Sequence, residues 1–385
     1  MTRQRKATES RQERAEARRA VGEVGQTISE ARRRLGMTQA ALARSAQISR
    51  QALFQIETGA TFPRIDTALR ITRALGLEMS ALWAPEEDPR IFVGADGSDE
   101  NRRVDVARLD GRWIAHPSDD PDRIGAGFSC SDGILRKAAE GMMLETRAGS
   151  SVLAENIFLA GCDPALEMLA QEATRAGRGG RCIWIPCGNE AALRRLADGE
   201  AHIAGVHFGN ESDEANLAAV RKRGLDATCA MLRFSSWEQG WMIGRRAGEG
   251  FRGVESLAGS KLRLANREAG SGCRIALDRM ARRAGIPTAV IKGYDSISTN
   301  HAGCARRIAA GFADVGMGCA AMAKTFGLAF RPTVQVAFDL VIRRDLLERP
   351  LVRTICDLIQ SGKFLRELAC VPGYETSGSG RMIVR

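Results

Sequence analysis

Apolar residues along this chain follow two rhythms, and the change between them divides it. Up to about residue 83 they recur at helical spacing. After Pro63, the positions Ile65, Ala68, Ile71 and Leu75 form one stripe on a predicted helix opening at Arg64. From Ile157 onward they come as short runs, each followed by a loop and an amphipathic stretch. Ile157 to Ala160, Cys182 to Pro186, His202 to His207, Lys261 to Asn266 and Ala313 to Gly318 are the predicted strands. Predicted helices follow Gly161, run through Leu193 and Leu196, and end at Ala284. Such alternation builds parallel sheets. Two groups of these units, joined near Phe234 to Ile243 and again near Val334 to Val341, predict two lobes with a cleft. Between the two rhythms, Val104, Val106, Leu109, Trp113 and Ile114 surround Asp110-Gly111, a hairpin signal.

Within the helical part, Met37 to Gly59 reads as two short helices and a tight turn. Thr38 and Ser49 each stand where a side-chain oxygen can cap a new helix. On the exposed face of the second short helix sit Arg50, Gln51 and Gln55, side chains suited to phosphates and base edges. Phe54 beside them could touch a thymine methyl or pack on a neighbour. A small helical bundle for protein contacts is the competing reading. The segment from Thr27 to Trp83 resembles the Cro/repressor-type (XRE-like) DNA-binding domain in length, caps and the closing Ile56-Glu57-x-Gly59. That resemblance implies that Gln39 opens the helix bracing the phosphate backbone. It places Ser49, Arg50, Gln51 and Gln55 on a recognition helix, and Leu42, Ile48, Leu53 and Ile56 in the core. It also implies a double-stranded DNA operator and a homodimer on two half-sites.

Charge sharpens this picture. The 385 residues carry a formal charge of +10, and before residue 85 fifteen Lys and Arg stand against eight Asp and Glu. A basic unit at one end fits nucleic-acid binding. Residues 1–26 read as a basic, disordered leader, since no apolar face is present. No signal-peptide core and no bilayer-length apolar run occur, so the expected location is cytoplasmic, with no membrane contact. Residues 27–84 are then the DNA-binding domain. Residues 85–151 form a linker (Pro85-Glu86-Glu87-Asp88-Pro89) and a small strand-rich connecting region, and residues 152–385 form the ligand domain. Ten cysteines without a Cys-x-x-Cys pair, and four scattered histidines, compose no zinc spacing. The thiols are expected to be reduced and mostly buried.

The loops after the strands carry the ligand argument. In open parallel sheets ligands bind beyond the carboxyl ends of strands, where helix N-termini offer unpaired N–H groups. Gly270-Ser271-Gly272 lets the backbone approach a ligand, Ser271 adds a hydroxyl, and Arg267 and Arg274 bracket the loop. Such a loop favours an anion, or is ordinary strand-to-helix turn chemistry. His207 and His301 are structural or ligand-contacting. Asp163 and Asp314 are expected to order loops, because an anion would repel them. Trp237 and Trp241 are expected in the core.

Several segments recur in a familiar order: Gly161-Cys162-Asp163-Pro164-Ala165-Leu166, Gly199 to His207, Asn266-Arg267 with Gly270-Ser271-Gly272 and Arg274, and His301 followed by Ala310-Gly311, Asp314, Gly316 and Gly318. From about Val152 to Tyr374 they resemble the cytoplasmic periplasmic-binding-protein-like domain fused to bacterial helix-turn-helix regulators and to molybdenum-cofactor proteins, which is itself similar to molybdate-binding proteins. The resemblance implies a type II two-lobed α/β fold and suggests a small anionic effector, molybdate or tungstate; no cofactor is expected, and without metal-ligand spacing no metal either. The expected ligand set is Gly161, Cys162, Asp163, Asn189, His207, Arg267, Gly270, Ser271, Gly272, Cys273, Arg274 and His301. Three departures touch presumed ligand loops. Cys273 stands where Thr is usual and is a weaker donor. Asn189 stands where Ser is common, and Ser296-Ile297-Ser298 replaces a more acidic stretch. No Walker loop, Gly-x-Ser-x-Gly elbow or dinucleotide fingerprint occurs, so catalysis is not expected. The reading is a one-component transcription regulator in a multidomain chain, all-α and then α/β. The alternatives are a molybdenum-cofactor assembly protein, which the helix-turn-helix opposes, and a regulator sensing an organic ligand.

Overall fold

A computed structural model describes residues 24–33, 35–77, 79–82, 90–91, 100–119, 130–138, 141–146, 148–177, 179–208 and 213–384. They belong to two compact units, Met1–Glu87 and Asp88–Arg385.

The first unit is helical. Residues 24–33 (α1), Gln39–Ser45 (α2), Arg50–Glu57 (α3) and Ile65–Leu75 (α4) enclose a core that includes Ile28, Leu42, Leu53, Ile56, Ala68 and Ile71. Gln47, at φ 55°, makes the tight turn between α2 and α3, and Gly76, at φ 66°, closes α4 in the left-handed conformation. The helical core reaches further back than the leader expected over residues 1–26. Val24 is buried with Ile28, and a side chain at Gly25 would overlap the Ile56 carbonyl. Trp83 and the Pro85–Pro89 linker lie outside the described residues.

The second unit begins with a five-stranded antiparallel sheet: Arg90–Ile91 (β1), Arg103–Leu109 (β2), Arg112–Pro117 (β3), Gly133–Ala138 (β4) and Gly141–Thr146 (β5), in the order β1-β5-β4-β2-β3. Asp110 and Gly111, both at positive φ, form the two-residue turn of the expected hairpin. Strand β2 is buried on both faces. Val104 and Val106 join Trp113, Leu135 and Leu144, whereas Ala107 and Leu109 join Ile114 in the core that follows. A boundary at Val152 therefore cuts through one continuous core.

The chain continues through Ser150–Leu153 (α5), Ile157–Gly161 (β6), Ala165–Ala176 (α6), Cys182–Pro186 (β7), Asn189–Ala197 (α7), Ile203–Val206 (β8) and Asp213–Lys222 (α8). The long strand Cys229–Ile243 (β9) leads to Leu264–Arg267 (β10), Gly272–Arg283 (α9), Ile297–Ser298 (β11), His301–Ala309 (α10), Val315–Cys319 (β12) and Ala320–Thr325 (α11). A second long strand, Ala329–Arg343 (β13), returns, followed by Pro350–Leu358 (α12), Gly362–Ala369 (α13), Tyr374–Glu375 (β14) and Met382–Val384 (β15).

The main sheet runs β11-β10-β12-β9-β13-β8-β6-β7. Strands β6, β7 and β8 are mutually parallel in the first lobe, and β10, β11 and β12 in the second. The two 15-residue strands β9 and β13 serve both lobes. The end of β9 pairs with β12, and the end of β13 with β8, while the two long strands pair with each other. They occupy the segments where the sequence placed the lobe crossings. Helices cover both faces, so β9 is buried along nearly its whole length. No helix among the described residues is long and apolar enough to cross a membrane.

Candidate nucleic-acid face and ligand cleft

In the first unit, Thr38 Oγ1 accepts from the Ala41 N–H at 3.1 Å and Ser49 Oγ from the Ala52 N–H at 3.0 Å, which fixes where α2 and α3 start. Leu53 and Ile56 anchor the inner side of α3, and Arg50, Gln51, Phe54 and Gln55 remain exposed on the outer side. The five residues expected to face DNA therefore divide. Arg50, Gln51 and Gln55 point into solvent. Ser49 spends its hydroxyl on the cap, and Gln39 donates to Glu57 Oε2 at 2.8 Å. Arg32 Nε meets the same carboxylate at 2.6 Å. Burial pushes the Glu57 pKa up, but Arg32 and Gln39 together hold it below the usual range. Gln39 thus ties α2 to α3 instead of reaching outward.

In the second unit the cleft is built by loops at strand ends. The first lobe supplies Cys162 and Asp163 after β6, Asn189 after β7 and His207 after β8. The second supplies Arg267 at the end of β10, Cys273 in the first turn of α9 and His301 at the start of α10. Trp237 and Gln239 come from β9 between them. All of these side chains are buried. Asn189 joins two loops: its amide donates to the His207 carbonyl, and its Oδ1 accepts from the His207 N–H at 3.2 Å. Asp163 Oδ1 accepts from the Ala165 N–H at 2.8 Å and from the Tyr374 hydroxyl, ordering its loop as the sequence suggested. Asp314 likewise braces the Arg263 backbone, at 2.8 Å.

The centre of the cleft leaves polar atoms unmatched. Arg267 Nε and Nη2 grip Glu268 at 2.8 and 2.9 Å, and Nη2 also donates to the Thr299 carbonyl, yet Nη1 has no partner. Nδ1 of His207 and Nε2 of His301 are buried without partners too. The Trp237 indole packs edge-on against both imidazoles, with centroids 4.8 and 5.4 Å away. Its N–H and Asp163 Oδ2 are also buried without a hydrogen-bond partner.

Burial, reinforced by Arg267, pushes the His207 pKa down to about 3, and burial with Arg267 and His207 drives His301 well below its usual value. Both rings are therefore neutral. Burial raises the Cys162 thiol well above its usual value and lifts Asp163 to about 6. For Arg267 burial opposes the charge, but the Glu268 ion pair outweighs it and the guanidinium stays protonated. The lobes touch across this centre. A Cβ at Gly272, in the second lobe, would overlap the His207 ring, and one at Gly188, in the first, would overlap the Glu268 carboxylate.

Several expected contacts take other roles. Ser271 Oγ donates to the Glu268 carbonyl at 2.9 Å and caps α9 by accepting from the Arg274 N–H at 3.3 Å. The Arg274 guanidinium binds Asp278 at 3.1 Å and lies over the Tyr294 ring at 3.8 Å, so it braces α9. Gly161 is required by packing, since a Cβ there would press on Leu166 and Gly205. Gly270, at φ 85°, turns the chain beside Glu190. Trp241 is core, as expected, against Phe251. Trp237 is core as well, in the first-lobe cluster, and its ring also meets His207 and His301 edge-on. Glu268, Gln239 and Tyr374 were not anticipated. Only Glu268 carried a signal, an acidic neighbour beside Arg267 at a strand end.

Comparison with known proteins gives two domain matches: a helix-turn-helix over residues 28–82 and a PBP superfamily domain over residues 170–360. The uncharacterised protein YvgK of Bacillus subtilis (strain 168) is 23% identical over 230 residues, covering 60% of this chain and 74% of YvgK. An uncharacterised protein encoded in the 5′ region of a ferredoxin 2Fe-2S gene of Clostridium pasteurianum is 30% identical over 110 residues, 28% of this chain and 97% of that protein. The structure of PhnD1 from Prochlorococcus marinus (MIT 9301) in complex with methylphosphonate aligns with a TM-score of 0.41 at 14% identity, over 60% of this chain and 93% of that one. The chain belongs to the family of the Clostridium pasteurianum protein, and it joins a helix-turn-helix DNA-binding domain to an α/β PBP-like ligand-binding domain.

Proposed function

We propose that this protein is a one-component transcription regulator. A homodimer binds double-stranded operator DNA through α3 of each copy. The second unit closes on a small oxyanion, with molybdate and tungstate the leading candidates, and closure alters operator binding. The observation that carries the ligand reading is Arg267 Nη1, a buried cationic donor with no partner, at the meeting point of two lobes. A buried polar group without a partner costs about 1–3 kcal/mol, so a site that keeps one is complementary to something the chain does not supply. The protonated Cys162 thiol supports binding over nucleophilic catalysis, because no thiolate is poised there.

The test is thermal shift and calorimetry on the full chain with molybdate, tungstate, sulfate and phosphate, followed by DNA-binding assays with and without the ligand found. One or more oxyanions should raise the melting point, and Arg267→Met should remove the effect. If none of the four changes the melting point, the oxyanion reading is wrong. If one binds but leaves DNA affinity unchanged, the regulatory coupling is wrong.

A further inference from the structure

The Sγ of Cys162 and a ring nitrogen of each of His207 and His301 lie within 4.8 Å of one another, and all three side chains are fully buried. Their positions in the chain are far apart, so no spacing motif joins them. We propose that these three side chains form a binding site for a thiophilic late first-row metal ion, zinc(II) or copper(I), which latches the two lobes together. The proposal rests on the cleft being where the second unit takes its effector, but it does not require that effector to be an oxyanion.

Donor chemistry supports this class of ion. One thiolate with two imidazoles suits zinc and copper and is poor for magnesium or calcium, which prefer oxygen. A metal–sulfur bond is about 2.3 Å and a metal–nitrogen bond about 2.0–2.1 Å, so three donors around one ion sit within about 4 Å of each other. The observed cluster needs only a small contraction. Each imidazole carries a buried nitrogen with no hydrogen-bond partner, Nδ1 in His207 and Nε2 in His301. A structural histidine in a core would use its nitrogens, as His202 does with the Phe158 N–H and the Arg108 carbonyl.

Charge and position point the same way. Arg267 is nearby, but its charge is matched by Glu268 at 2.8 Å, so the cluster does not face an uncompensated cation. Binding breaks the Cys162 S–H bond and forms a metal–sulfur bond, and the proton leaves to solvent. Copper(I) with the thiolate is then neutral. Zinc(II) retains one positive charge and an open position, which an anion held by Arg267 Nη1 could fill. Cys162 and His207 belong to the first lobe and His301 to the second, so an ion held by all three opposes opening. Cys273, whose Sγ lies 3.9 Å from His301 Nδ1, borders the site on the second lobe.

The experiment uses the full chain carrying Cys130→Ser and Cys370→Ser, which removes the two exposed thiols. After chelator treatment it is titrated with zinc(II), with copper(I) under competition by a chromogenic chelator, and with cobalt(II) as a spectroscopic probe. One equivalent should bind, and cobalt should give a sulfur-to-metal charge-transfer band in the near ultraviolet. Cys162→Ser should abolish that band, and His301→Gln should weaken zinc or copper binding at least tenfold with the circular dichroism unchanged. The cobalt spectrum of the unsubstituted cleft stands even if a variant fails to fold. Absence of the band, or full-affinity binding by both variants, overturns the proposal. If metals fail while molybdate or another oxyanion still stabilises the protein through Arg267, the metal site falls and the cleft reading survives. If neither class of ligand binds, both fall together.

Discussion

The recognition helix and the cleft put polar side chains to opposite uses. On α3, Arg50, Gln51 and Gln55 lie in water, so the DNA binding proposed for this face would draw on counterion release and fall with salt. In the cleft, Asn189, His207, Arg267 and His301 have been stripped of water by the fold. A ligand entering it meets groups already desolvated and held in place, which favours affinity by preorganisation. The exposed face selects by reach and charge, whereas the sealed one selects by complementarity.

Burial alone is not the mark of the cleft, and a second polar cluster on the same long strands sharpens the point. Asp339 on β13 accepts from Arg233 Nε at 2.6 Å and from Asn216 Nδ2 at 2.8 Å, all three buried. That cluster is structural. Asp339→Ala strands a buried guanidinium and should destabilise the second unit by about 3–5 kcal/mol in denaturant titrations. Arg267→Met should instead remove ligand binding at a smaller cost in stability, since Nη1 already lacks a partner and the Glu268 carboxylate it would release is partly exposed. Were Asp339→Ala to unfold like the parent, pairing would not separate the two clusters.

On the exposed side, Arg50→Ala or Gln51→Ala should weaken operator binding by about 1–3 kcal/mol if the side chain contacts a base in bidentate fashion. Gln39→Ala should loosen the α2–α3 junction through Glu57 and show its effect in stability of the first unit. Gel-shift titrations at two salt concentrations, beside thermal melts, separate these outcomes. A Gln39 variant that loses DNA affinity with an unchanged melting point would return Gln39 to the phosphate backbone.

Acid separates the units as well, because all four histidines fall in the second. His202 Nδ1 accepts from the Phe158 N–H at 3.1 Å, which requires a neutral ring, and burial, aided by Arg349, lowers its pKa to about 3. The folded value lies below the unfolded one, so its stabilisation is complete above pH 6.5 and is lost as pH falls toward 3, by about 1.4 kcal/mol per unit. His207 and His301 act in the same direction. Asp163, raised to about 6, acts oppositely, gaining its proton in the folded state first. The net expectation is a falling melting point for the second unit between pH 6.5 and 5, with the first unit unmoved. Equal acid sensitivity of both units would contradict this assignment.

The first unit was legible because its signals are local. Two caps, a turn and three exposed polar residues fall within a few turns of helix, where periodicity reads directly. The cleft was legible only as loops after strands. The contact of Trp237 with both imidazoles was hidden within β9, whose nearly continuous burial erases the alternation that marks a face. Cys162, His207 and His301 are 45 and 94 positions apart, beyond any spacing rule, and only the crossing of β9 and β13 brings their lobes together. Arg274 is the instructive miss. Its i,i+4 partner Asp278 was in plain view and forms a pair common on helices, which already argued for a structural arginine.

The smallest effect tests the loop on which sequence reasoning leaned most. Gly270-Ser271-Gly272 suggested an anion cradle with Ser271 as a hydroxyl donor, and on that reading Ser271→Ala weakens ligand binding. The hydroxyl is instead committed twice: it donates to the Glu268 carbonyl and accepts from the Arg274 N–H at the start of α9. A serine N-cap is worth about 1 kcal/mol, so Ser271→Ala should lower the stability of the second unit by that amount and leave ligand affinity within twofold. Ser49→Ala, which removes the equivalent cap on α3, provides the matched control in the first unit. Chemical denaturation and calorimetry on the two variants decide it. Loss of ligand affinity in Ser271→Ala with unchanged stability would restore the hydroxyl to the ligand and mean that the loop rearranges when the cleft fills.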